Sequence, residues 1–192
     1  MESERLFLGL HLDPLFKQEI IPAAEKLGKI YPDHKWVNLL FFHFTIHFLG
    51  DTTPDQKQKV MALAREIASR QKPFQIALEG MGAFPSLNKP RVIWIGASSG
   101  CQKDLAELYE SVTQPLIAEG FPVEHEKFTP HATLFRVRAE SPILWDSRTF
   151  QFPQTQNKTI DRIILFKSIL TPQGSEYQPC EEFSFGNRYT TD

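Results

Sequence analysis

At 192 residues, with 41% hydrophobic and 23% charged side chains, the chain has an ordinary globular composition, enough for a sizeable core in one domain or in two small lobes sharing a groove. A formal net charge of -2 is not that of a protein that coats duplex nucleic acid, although a small anionic ligand needs only a local site. No apolar run is long enough to span a bilayer, and Cys101 and Cys180, in a chain whose first residues lack a secretory signal core, point to a cytosolic protein with free thiols.

Leu6 to Leu12 reads as a strand ending at Asp13-Pro14, a capping acid followed by proline at the first helical position. Phe16, Ile20, Ala23, Ala24 and Leu27 then recur at helical spacing, with Pro22 as a kink and Gly28 near the end. After a loop from Pro32 to Lys35, a strand runs from Phe41 to Gly50. Strict alternation turns Phe42, Phe44, Ile46 and Phe48 one way and Phe41, His43, Thr45, His47 and Leu49 the other. The apolar row suits packing under helices, and the half-polar row suits a floor that meets solvent or a ligand.

Thr53-Pro54-Asp55-Gln56 is a capping box with a first-turn proline, opening a helix to about Arg70. Pro73 to Leu78 alternates as a strand, Gly80 to Lys89 has the glycine and proline content of a loop, and Arg91 to Gly96 is a strongly apolar strand. A third helix follows Ser98 to Gly100 and ends at Gly120, and Phe128 to Phe135 is the next strand. A polar stretch from Ala139 to Lys158 precedes a closing hairpin: Ile160 to Leu170, a turn at Pro172-Gln173-Gly174, and Tyr177 to Phe185. Short turns and helices between strands favour α+β with antiparallel or mixed sheets. A parallel doubly wound fold is disfavoured, because there is no glycine-rich phosphate loop.

The order strand, helix, strand occurs twice. Leu6 to His43 spans 37 positions and Val92 to His131 spans 39, the period expected of two related lobes. The two equivalent places hold the same pattern, His43-Phe44-Thr45 and His131-Ala132-Thr133. A histidine and a hydroxyl two residues on share a strand face, about 7 Å apart, and together can hold one phosphate. Two such pairs across a groove would supply one imidazole to take a proton and one to give it, with the threonines donating to non-bridging oxygens.

These residues resemble the 2H phosphoesterases, and within them the LigT-like RNA 2',3'-cyclic phosphodiesterases, historically called 2'-5' RNA ligases. The likeness covers Arg5 to Leu10, His43 to Gly50, Arg91 to Gly96, Phe128 to Arg136 and the closing hairpin, nearly the whole chain. It implies two pseudo-symmetric lobes, each a mostly antiparallel sheet with helices on its outer face, around a central groove. Residues 1–192 would form one bilobal domain, with halves near 5–78 and 90–138 and the hairpin at 159–186. It also implies hydrolysis of 2',3'-cyclic phosphate ends of RNA or nucleotides to a 2'-phosphate, without metal or cofactor; no obligate protein partner is evident, and a cytoplasmic monomer is the expectation. By analogy His43 is the proton donor and His131 the acceptor, Thr45 and Thr133 bind phosphate, and the role order comes from the family, since spacing cannot set it.

Other readings stay open. The same site could serve a 2',5'-phosphodiesterase or a 2'-5' RNA ligase, and the fold could serve a binding module for nucleotide ends. Arg136 matches the arginine that closes the family's second motif, yet strict alternation from His131 turns it away, so only a bulge or a strand end brings it to phosphate. His47 shares a row with His43 but lies about 13 Å along the strand, beyond joint metal ligation, so it is structural or substrate-proximal. His11, His34 and His125 belong to no constellation and read as surface or loop residues. Phe41, Phe42, Trp36 and Trp94 could stack a base, with core packing favoured for most.

Overall fold

The computed structural model describes residues 2–122, 127–143, 152–171 and 174–186. Its elements in chain order are β1 (Glu4–His11), α1 (Asp13–Ile30), β2 (Lys35–Trp36), β3 (His43–Thr52), α2 (Pro54–Arg70), β4 (Phe74–Ile76) and β5 (Leu78–Phe84). Then come β6 (Val92–Ala97), α3 (Gln102–Ala118), β7 (His131–Arg136), β8 (Lys158–Ile160), β9 (Arg162–Thr171) and β10 (Gly174–Ser184). Two four-stranded sheets, ordered β10-β9-β1-β3 and β2-β7-β6-β5, are antiparallel at every pairing, and β4 pairs with β8. This is the expected α+β architecture. Among the described residues no helix is long and apolar enough to cross a membrane.

Alternation within the strands decides what each face meets. In β1, Leu6, Leu8 and Leu10 are fully buried in the main core, together with Leu12 just after the strand, whereas Phe7 joins a small second cluster with Ile164, Phe166 and Tyr177 on the opposite face. The main core takes in Phe16 and Leu27 of α1, Val60 and Ala64 of α2, and Leu105, Leu108 and Val112 of α3. Each fully buried Leu, Val or Phe side chain stabilises the fold by about 1.5–3 kcal/mol. The capping box of α2 is present, Gln56 N–H donating to Thr53 Oγ1 at 3.3 Å and Thr53 N–H donating to Gln56 Oε1 at 2.9 Å. Helix α1 differs, because Asp13 lies inside it and Leu12 holds the N-cap position.

Three strand boundaries depart from the sequence reading. β3 starts at His43, because Leu39–Phe41 winds into a 3-10 turn capped by Asn38, whose side chain accepts from Leu40 N–H at 3.0 Å. β7 likewise starts at His131 rather than Phe128, directly after Pro130. The expected loop from Gly80 is instead the body of β5, which pairs with β6 out to Phe84. Its glycines mark fit to the neighbouring strand: Gly80 takes φ 67 at a register shift, and a Cβ on Gly82 would overlap the Trp94 indole. Residues 172 and 173 of the expected turn and part of the 139–158 stretch lie outside the described residues.

Candidate active site

The two motif strands, β3 and β7, pack against each other where the sheets meet. Each carries a bulge at the same point. In the β1–β3 ladder Gly9 faces Thr45 and Leu8 faces His47, so Ile46 is the extra residue. In the β6–β7 ladder Trp94 faces Thr133 and Ile93 faces Phe135, so Leu134 is the extra residue. A bulge one residue past each threonine reverses the alternation beyond it. His43 and Thr45 therefore share the groove face with Phe48, and His131 and Thr133 share it with Arg136, all six lining one cleft of about 190 Å³.

This resolves the question of Arg136, which strict alternation turned away. It also corrects the expected rows of β3. Phe48, assigned to the apolar face, is 45% exposed and lines the cleft, whereas His47 is 1% exposed and sits on the helix-covered face. The His47 Nδ1 is 3.1 Å from the Thr113 hydroxyl of α3. Burial lowers its pKa, with the Pro122 carbonyl acting against that. Thr45 and Thr133 have no hydrogen-bond partner among the described residues, so both hydroxyls are free to donate to a ligand.

The two histidines are held alike. His43 Nδ1 donates to the Phe41 carbonyl at 2.5 Å, and His131 Nδ1 donates to the Thr129 carbonyl at 2.7 Å. A carbonyl can only accept, so the hydrogen belongs on Nδ1 in each ring and Nε2 is left to exchange protons. In both cases the acceptor belongs to the residue two positions upstream, just before the strand begins: Phe41 at the end of the 3-10 turn, Thr129 in the segment leading into β7.

Aromatic rings surround both imidazoles. His43 lies 4.7 Å from Tyr177 edge-on, 4.9 Å from Phe7 and 5.6 Å from Phe166, while His131 lies 4.8 Å from Phe84 and 5.8 Å from Trp94. Burial disfavours the imidazolium, and it is the main reason the His43 pKa is pushed down to about 4. The Phe41 carbonyl opposes that shift, and His11 and His131 add slightly to it. The His131 pKa is lowered by the same cause, with the Thr129 carbonyl opposing and the Arg136 charge assisting.

Several residues of the site escaped the sequence reading. His11, taken for a surface residue, is the cross-strand partner of His43 and donates to the Leu40 carbonyl at 2.8 Å, bracing the turn that carries the Phe41 acceptor. The alternation Phe7, Gly9, His11 along β1 was the available signal. Phe84 and Tyr177 also line the cleft, the first hidden in the supposed loop. His34 is buried and stacks on Phe135, Trp36 packs on the same ring, and Phe42 is core; His125 lies outside the described residues. A larger hollow of about 750 Å³ near Glu4 touches none of the motif residues, and Glu4 is already paired with Lys57 and Lys167. Among the described residues no group of three or more His, Cys, Asp or Glu could hold a metal ion.

Comparison with known proteins agrees with this architecture. The profile of a family described as LigT like Phosphoesterase matches residues 11–94. The RNA 2',3'-cyclic phosphodiesterase of Aquifex aeolicus is 35% identical over 195 residues, covering 97% of this chain and 100% of that protein. The protein of the same name from Thermotoga maritima is 31% identical, covering 94% and 95%. Among solved structures, TT0787 of Thermus thermophilus superposes with a TM-score of 0.77 at 27% identity, over 96% of this chain and 100% of that one. The fold also matches that of E. coli LigT complexed with 3'-AMP, with a TM-score of 0.78 at 21% identity, over 97% and 100%. On its near full-length similarity to these relatives, the chain belongs to the LigT-like phosphoesterase family.

Proposed function

We propose that the protein is an RNA 2',3'-cyclic phosphodiesterase that opens the cyclic phosphate to a 2'-phosphate by acid–base catalysis with two histidines. The observation that carries this is the duplicated arrangement itself: two imidazoles, each anchored through Nδ1 to a carbonyl, with a free hydroxyl beside each, on one cleft. His131 Nε2 takes a proton from water as the oxygen attacks phosphorus. The P–O3' bond breaks as the new P–O bond forms, and His43 Nε2 gives its proton to the departing 3'-oxygen. Thr45, Thr133 and Arg136 hold the non-bridging oxygens, where negative charge gathers. Each proton transfer is worth about 10²- to 10⁴-fold, which is ample for a strained cyclic ester. We take the order of the two histidines from the family analogy, because their anchoring is alike.

The identity of 35% to a named RNA 2',3'-cyclic phosphodiesterase supports the substrate class. The paired bulges of β3 and β7 support reading residues 1–192 as one bilobal domain with halves near 5–78 and 90–138 and a hairpin at 159–186. Free Cys101 and Cys180 support a cytosolic protein, which we take to be a monomer. The test is incubation with 2',3'-cyclic nucleotides and RNA ends in the presence of a chelator, with the phosphate isomer identified by phosphorus NMR. A 2'-phosphate product is expected, lost in folded His43→Ala and His131→Ala. Near-wild-type turnover in either variant, or a chelator-sensitive reaction, would contradict the mechanism. A 2',5'-linked oligonucleotide in the same assay reads the alternative activity.

A further inference from the structure

The cleft continues beyond Arg136. A second hollow of about 170 Å³ lies on its far side, and Val37, Arg136 and Tyr177 line both. Its own walls include Lys35 and Asn38 on one side and Ser175 and Glu176 of β10 on the other. Lys35 and Arg136 are directly opposite each other in the β2–β7 ladder, so the two cations stand side by side on one face. Like charges in that position destabilise a sheet, and among the described residues neither has a carboxylate partner.

An anionic ligand gives such a pair a role. The charges lining the hollow, Lys35 and Arg136 against Glu176, sum to one positive charge. Arg136 also faces the cyclic phosphate in the first cleft, so Lys35 is the cation this hollow has to itself, and a singly charged phosphodiester suits it better than a terminal phosphate, which carries nearly two charges. Asn38 uses its Oδ1 to accept from Leu40 N–H, which leaves its amide NH₂ to donate, and Ser175 adds a hydroxyl.

We propose that this hollow seats the internal phosphodiester one nucleotide 5' of the cyclic end, with Lys35 as its cationic ligand. The assignment rests on the function proposed above, since the terminal nucleotide must fill the first cleft for its chain to leave past Arg136 into the second. It makes the protein selective for polymer ends over free cyclic nucleotides.

The test compares uridine 2',3'-cyclic phosphate with the dinucleotide ApU carrying the same cyclic end, using wild type and Lys35→Gln. Wild type should favour the dinucleotide, and Lys35→Gln should lose roughly tenfold in kcat/KM on it while the mononucleotide rate stays within twofold. Raising the salt concentration should weaken kcat/KM on the dinucleotide less in the variant than in wild type, because one charge–charge contact is missing. Equal effects on both substrates, or none on the dinucleotide, would overturn the assignment. Equilibrium binding of ApU 2'-phosphate and uridine 2'-phosphate separates the two levels, because it needs no turnover. If no cyclic phosphate is hydrolysed yet Lys35→Gln weakens only the dinucleotide, the enzymatic reading falls and the subsite stands. If the variant binds both as wild type does, the subsite falls.

Discussion

A histidine whose Nδ1 hydrogen is tied to a backbone carbonyl has one nitrogen left for chemistry, and its protonation then depends on what surrounds the ring. For His43 the surroundings are Phe7, Phe166 and Tyr177, and the free-enzyme pKa falls to about 4; for His131 they are Phe84 and Trp94, and the pKa also falls below its ordinary value. In the proposed mechanism catalysis needs one proton on the pair, so the active form is most abundant between the two values and declines above them. The kcat/KM for a 2',3'-cyclic nucleotide should therefore peak on the acid side of pH 6.5 and fall about tenfold per pH unit beyond the upper value. A bound phosphate favours the imidazolium, so kcat should hold to higher pH than kcat/KM. Because the titration belongs to the pair, the profile does not depend on which histidine is the donor. A kcat/KM still rising between pH 6.5 and 8 would refute this protonation scheme. At this scale the sequence carried the two histidines and threonines, since residues two apart share a strand face. Strict alternation misdirects Phe48, His47 and Arg136, for the last of which the bulge was the open alternative, because a single inserted residue, Ile46 or Leu134, flips the residues that follow it and leaves no mark on composition.

At the scale of elements, β5 shows why a glycine-bearing stretch can be a strand. Gly82 lies under Trp94, which itself reaches His131, and the indole occupies the volume that a side chain at 82 would need. Gly82→Ala must displace the whole ring, so it should cost about 1–3 kcal/mol, the usual range for overpacking. Gly100, beside which a Cβ would meet nothing within 4 Å, is the control, and Gly100→Ala should change stability by less than about 0.5 kcal/mol. Urea unfolding monitored by tryptophan fluorescence measures both. Equal costs for the two substitutions would mean that the Trp94 contact does not explain the glycine. The helices were legible from local signals, the capping box of α2 above all. β5 was not, because what makes it a strand is its ladder with β6 and the ring it accommodates, and neither is local in sequence.

Across the whole molecule, the strand and helix order was readable while the sheet membership was not. β2 and β5 precede the second motif by many residues yet join its sheet, and β9 and β10, from the end of the chain, pair up beside β1. That assembly buries His34 and His47 and half-buries His43 and His131 in environments that disfavour their charged forms: all four have lowered pKa values, chiefly through desolvation. The sign of the consequence follows from linkage. An unfolded histidine takes its proton near pH 6.5 and the folded one resists until lower pH, so the unfolded state binds more protons and stability falls as pH drops through that window. For His43 alone, a folded value of about 4 implies a loss on the order of 3 kcal/mol by pH 4. Glu4 and Asp161, whose carboxyls are held below their ordinary values of 4.5 and 3.8 by their basic partners, lose their contribution as pH falls through those values, so Glu4 overlaps only the acid end of the histidine window. Unfolding free energies measured in urea at pH 7.5, 5.5 and 4.5 should therefore decline steadily. His43→Gln, which cannot titrate, should decline less steeply over the same interval whatever its stability at pH 7.5. Parallel curves for the two proteins would show that His43 is not held neutral by its aromatic surroundings, and would remove the basis for an acid-shifted rate optimum as well.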